Sequence, residues 1–74
     1  MIVEIWGKSM CTFCDAAIQL CESEGVEYEY KTYEIDFTKE EILAEFLGAK
    51  TFPQIKIDGN PIGGYVELKE ILCR

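Results

Sequence analysis

The chain has 74 residues, 49% of them hydrophobic and 12% aromatic, which suits one small globular domain over 1–74 and leaves no room for a second core. Fourteen acidic residues against seven basic ones give a formal net charge of −7, and there is no histidine. That balance argues against a nucleic-acid backbone or an anionic membrane as partner, since both need clustered Lys and Arg.

Ile2-Val3-Glu4-Ile5-Trp6 is a β-branched and aromatic run that fits a buried strand, ended by Gly7. Met1 leads straight into it, and no apolar run approaches the roughly 20 residues of a membrane span, so the expectation is a cytoplasmic protein without a leader. After Cys11-Thr12-Phe13-Cys14, apolar side chains at Cys14, Ala17, Ile18 and Cys21 have the i, i+3, i+4, i+7 spacing of a helix face, and Gly25 closes that helix. Val26 to Tyr33 reads as a second strand with its acids facing water. Thr38-Lys39-Glu40-Glu41 has the form of a capping box, with Thr38 as cap and Glu41 answering it. Ile42, Leu43, Phe46 and Leu47 are the expected buried stripe of this second helix, and Gly48 its end. Gln54–Ile57 and Pro61–Ile62 flank Asp58-Gly59, a hairpin signal. Positions 65, 68, 69 and 72 mark a last short helix with Leu68 and Leu72 inward. The order β-α-β-α-β-β-α predicts a four-stranded mixed sheet flanked by three helices, its first two strands parallel through a right-handed crossover.

Cys11 follows a strand by a short loop and opens a helix, which favours thiolate over thiol in three ways. Unpaired amides of the first turn, around Phe13 and Cys14, can donate to sulfur. The helix dipole adds positive potential. Lys8 supplies a cation in an acidic chain. No single effect suffices: moving a cysteine from about 8.5 to about 5 takes roughly 4.8 kcal/mol, and the dipole gives at most about 2. Cys14, one turn in, points inward and is expected to keep a more ordinary pKa. Cys11 is then the attacking thiolate and Cys14 the resolving thiol.

In a reducing compartment a Cys-x-x-Cys pair reads as redox-active or metal-binding rather than as a fixed bridge. Structural zinc generally wants four Cys or His ligands in two clips. Here the candidates are Cys11, Cys14, Cys21 and Cys73, with Cys21 two turns along the same helix and Cys73 alone near the other end. The redox reading is favoured and no metal is expected; a cluster bridged between two chains through Cys11 stays open. Cys21 reads as a small core residue and Cys73 as inert.

With the strand, the Cys-x-x-Cys helix, a second βα unit, Thr51-Phe52-Pro53 and Ile62-Gly63-Gly64-Tyr65 in register, nearly the whole chain resembles a glutaredoxin. The resemblance implies a thioredoxin-like fold and glutathione-dependent exchange on protein disulfides and glutathione mixed disulfides, by a monomer, with ribonucleotide reductase as a client by analogy. It implies a cis Pro53 beside the nucleophile, the N–H and C=O of Phe52 offered to the cysteine unit of glutathione in β fashion, Lys8 and Lys50 on the glycine carboxylate, and the helix start Gly64, Tyr65, Val66 and Glu67 on the γ-glutamyl end. Phe13 would be an apolar floor. Two dipeptides depart from the family's habit. Thr12-Phe13 stands where Pro-Tyr is common, and Val66-Glu67 where a hydroxyl residue and Asp are common, which loses a side-chain donor and lengthens the acidic arm. Two alternatives remain: a redoxin reduced by thioredoxin reductase, and a metal or iron–sulfur carrier.

Overall fold

The computed structural model describes residues 1–73, and the elements run in the expected order. β1 (Ile2–Gly7) lies inside the sheet, pairing in parallel with β2 (Glu27–Thr32) and antiparallel with β3 (Gln54–Ile57). β4 (Asn60–Gly63) completes the order β2-β1-β3-β4 as the antiparallel partner of β3. Asp58 and Gly59 both have positive φ, 50° and 84°, as a tight two-residue hairpin turn demands.

The period of two along β1 divides the core. Val3 and Ile5 face one way and are buried with Ala17 and Cys21 of α1 (Thr12–Ser23), Ile55 of β3 and Leu68 of α3 (Tyr65–Leu72). Trp6 faces the other way, into a second cluster with Phe37, Ile42 and Phe46. Ile42 belongs to α2 (Lys39–Glu45), and Phe46 is its C-cap. The sheet therefore carries α1 and α3 on one side and α2 on the other, a thioredoxin-like arrangement.

α1 buries Cys14, Ala17 and Cys21 as their spacing predicts, and Cys21 is a core residue. Gly25 follows its C-cap with φ 68°. β2 is one residue shorter at each end than expected. The turn that follows it is held by Asp36, whose carboxylate accepts from the Thr32 N–H at 2.8 Å.

The second helix corrects the expectation. The capping box forms: Thr38 Oγ1 accepts from the Glu41 N–H at 3.3 Å, and a Glu41 carboxylate oxygen accepts from the Thr38 N–H at 2.9 Å. The helix then stops at Glu45, because Phe46 turns to extended backbone, φ −130° and ψ 91°. Ile42 and Phe46 are buried, whereas Leu43 is 39% and Leu47 94% exposed. The chain has left the helix before Leu47, so helical spacing has no meaning there, and Gly48 lies in the following loop instead of ending the helix.

Candidate active site

Three segments meet at the Cys11 end of the sheet: the loop from β1 into α1, the Thr51–Pro53 turn before β3, and the start of α3. Cys11 is the N-cap of α1, with extended backbone, and its Sγ accepts from the Cys14 N–H at 3.3 Å. Of the amides expected to serve this sulfur, the Cys14 N–H is the one that reaches it. Cys11 is 9% exposed and Cys14 fully buried. The residue before them, Met10, is fully exposed with φ 54°, so it lies at the rim.

Lys8, Met10, Cys11, Thr12, Phe13 and Lys50 line one hollow together with Thr51 and Phe52. A second hollow continues from it along Phe13, Thr51, Phe52 and Pro53 to Gly64, Tyr65, Val66 and Glu67. One groove thus gathers every residue picked from the sequence except Cys14, which lies buried behind Cys11. The Lys8 ammonium is 5.7 Å from the centre of the Phe52 ring, and Phe13 packs on Tyr65 with ring centres 5.8 Å apart. The Phe52–Pro53 peptide is cis. Among the described residues neither the N–H nor the C=O of Phe52 has a backbone partner, and Phe52 lines both hollows. Glu67 reaches back, its Oε1 accepting from the Gly64 N–H at 2.7 Å.

The second sulfur departs electrostatically from what the sequence suggests. Burial, then the hydrogen bond with Cys11, pushes the Cys14 thiol up from 9.0 to about 11, so it does not keep an ordinary value. The burial that hides its side chain against the sheet is the physical reason.

Residues 3–62 match the family model described as Glutaredoxin. The chain belongs to the glutaredoxin family. Its relatives include glutaredoxin 3 of Escherichia coli K12, 36% identical over 97% of this chain and 87% of that protein, and a probable glutaredoxin of Synechocystis, 38% identical over 84% and 72%. Among solved structures, glutaredoxin 1 of Francisella tularensis in complex with cacodylate superposes with a TM-score of 0.77 at 28% identity, covering 99% of this chain and 98% of that one. Reduced Escherichia coli glutaredoxin gives 0.76 at 29%, covering 99% and 94%, and a buckwheat glutaredoxin–glutathione complex gives 0.69 at 26%, covering 92% and 64%. Like its glutaredoxin relatives, the chain is a thiol–disulfide oxidoreductase.

Two residues beside the pair were not picked from the sequence for the site. The Tyr30 hydroxyl donates to the Lys8 carbonyl at 3.0 Å and lies beside Cys14 Sγ. Gly7, read there as a strand end, lies against both: a Cβ on it would sit 2.4 Å from the Tyr30 hydroxyl oxygen and 2.9 Å from Cys14 Sγ. The available signal was the period of two that sends Tyr28 and Tyr30 to the α1 side of the sheet; which part of α1 each reaches depends on tertiary packing. Among the described residues, no group of three or more His, Cys, Asp or Glu is arranged to hold a metal ion.

Proposed function

We propose that residues 1–74 act as one dithiol glutaredoxin domain that uses glutathione as reductant through Cys11 and Cys14. The observation that carries this reading is the Cys14 N–H donated to Cys11 Sγ at the head of α1, beside a buried second sulfur. A donor already aimed at the first sulfur stabilises its anion without reorganisation. Cys11 attacks a substrate disulfide, forms a mixed disulfide and releases one thiolate, which takes up a proton. Cys14 gives up its proton and attacks Cys11 Sγ, closing the internal disulfide and expelling the second thiolate. Two glutathione molecules then return the pair to dithiol, one adding to Cys11 and the other displacing it as glutathione disulfide.

The groove supports a glutathione seat. Phe52 offers its N–H and C=O to the cysteine unit, Lys8 and Lys50 suit the glycine carboxylate, and the amides at Val66 and Glu67 suit the γ-glutamyl carboxylate. A glutathione complex of a buckwheat relative is consistent with that seat. Clients are disulfide proteins in a reducing cytoplasm, with ribonucleotide reductase a candidate by family analogy.

The test couples the chain to glutathione, glutathione reductase and NADPH on a glutathionylated peptide and on a protein disulfide. Cys11→Ser should abolish both activities. Cys14→Ser should keep the first and lose the second. No glutathione-linked turnover, with turnover on thioredoxin reductase, would replace this reading with a redoxin fed by that enzyme.

A further inference from the structure

Most residues around the cysteine pair come from the β1–α1 loop, the Thr51–Pro53 turn and the start of α3. Tyr30 comes from β2, the edge strand, where it pairs in register with Ile5. Tyr28 and Tyr30, two residues apart, share the face that packs on the α1 side of the sheet. Their hydroxyls reach opposite ends of α1. Tyr28 donates to Glu22 at 2.9 Å, near its C-terminus; Tyr30 reaches the Lys8 carbonyl and Cys14, at its N-terminus. The chain leaves room for this approach, since any side chain at position 7 would collide with both the Tyr30 oxygen and Cys14 Sγ.

Filling that space would need no oxygen, because phenylalanine would supply the same ring. The hydroxyl matters for a different reason. Cys14 is fully buried, and an anion there loses its water. Yet the second step of the exchange requires Cys14 to become an anion. Its neighbour Cys11 is by then tied up in a mixed disulfide, and the Tyr30 hydroxyl stands beside the Cys14 sulfur, both atoms flanking the same small space at Gly7.

We propose that Tyr30 is the positioning residue of the second chemical step, its hydroxyl holding Cys14 Sγ and donating a hydrogen bond to that sulfur as it becomes an anion. The inference rests on Cys14 being the resolving thiol. In the resting chain the Tyr30 O–H donates to the Lys8 carbonyl. When Cys14 releases its proton to water, the O–H turns to the sulfur. The sulfur's electron pair then forms the bond to Cys11 Sγ, the bond between Cys11 and the glutathione sulfur breaks, and the departing thiolate takes a proton from water. The O–H returns to the Lys8 carbonyl once no anion remains. Burial and the neighbouring Cys14 push the phenol's own ionisation well above its ordinary range, so it remains a donor throughout. The other groups facing these two atoms are Cys11 and Asp15 of α1 and the backbone of Lys8.

Tyr30→Phe keeps the ring and removes the donor. The reduced full-length chain is mixed rapidly with glutathione disulfide, quenched with acid, and resolved by intact mass into dithiol, mixed-disulfide and internal-disulfide forms, from neutral to alkaline pH. The expected result is a second step slower by about three- to tenfold at neutral pH, the worth of one hydrogen bond. Its rising pH limb should move to higher pH, while the limb of the first step stays in place. An unchanged second-step profile overturns the proposal, and so does equal slowing of both steps with no shift of either limb, which would mean a packing role only. Cys14→Ser is run alongside. If it fails to accumulate the mixed disulfide, the resolving role itself falls; if it accumulates that species while Tyr30→Phe behaves as the parent, only the role of Tyr30 falls.

Discussion

At position 7 the backbone needs no glycine conformation; what it needs is empty space. A methyl group there would stand 2.4 Å from the Tyr30 oxygen and 2.9 Å from Cys14 Sγ, and the Tyr30 ring carbon at 2.9 Å blocks the easiest retreat. Both neighbours are buried or half-buried, so relief has to come from the packing of α1 on the sheet. Gly7→Ala should therefore lower stability by about 1–3 kcal/mol, the range for overpacking a closed site, read from urea unfolding. It should also displace Cys14 more than Cys11, because Cys11 belongs to the loop and Cys14 to the packed helix face. Kinetically, dithiol reduction of a protein disulfide should fall further than turnover of a glutathionylated peptide. Equal loss of both would mean the whole end of the sheet had moved.

At the scale of elements, α2 is the informative case. Seven residues make a helix too short to stand on propensity, so its capping box and its contact with Trp6 hold it. Thr38→Ala should cost about 1 kcal/mol through the lost cap. Phe46→Ala should cost about 3–5 kcal/mol, because the ring packs edge-on to Trp6 with centres 5.4 Å apart in a closed cluster. Leu47→Ser should cost almost nothing. Trp6 is the one tryptophan, so its fluorescence follows all three unfolding curves. The ranking of Phe46 above Leu47 also marks the limit of sequence reading. Helical spacing placed both on a buried stripe, but the backbone turns extended at Phe46, a change set by the aromatic packing of Trp6, Phe37 and Phe46 and not by local preference. The strands, the hairpin turn and the three helix starts were legible because each depends on residues adjacent in the chain. The groove was legible as well, since its residues are carried by three short motifs at strand and helix ends. Tyr30 was not, because its approach to Cys14 joins an edge strand to a helix 16 positions earlier, and a tyrosine within an alternating strand looks the same whether it meets a leucine or a sulfur.

For the molecule as a whole, the titrating groups predict which side of neutrality is weak. Cys14, Cys21 and Tyr30 all have ionisations raised by burial, and Tyr28 has one raised by its bond to Glu22. Each keeps its proton in the fold beyond the pH at which the unfolded chain would lose it. For Cys14 that window runs from 9.0 to about 11. Within it the unfolded state binds fewer protons than the folded one, so stability is full below 9.0 and falls as pH rises toward about 11. For Cys14 alone the loss is about 3 kcal/mol, a large part of what a chain of this size has to spare. The charge of −7 at neutral pH acts in the same direction, since each further deprotonation adds self-repulsion. Urea unfolding of the reduced chain at a series of pH values should therefore be level near neutrality and decline above about pH 9. In Cys14→Ser the decline should be shallower, because serine has no proton to release there, and the same should hold for the parent with Cys11 and Cys14 joined as a disulfide. An equally steep decline in all three would assign the alkaline weakness to the tyrosines and to net charge, leaving the buried sulfur without a part in it.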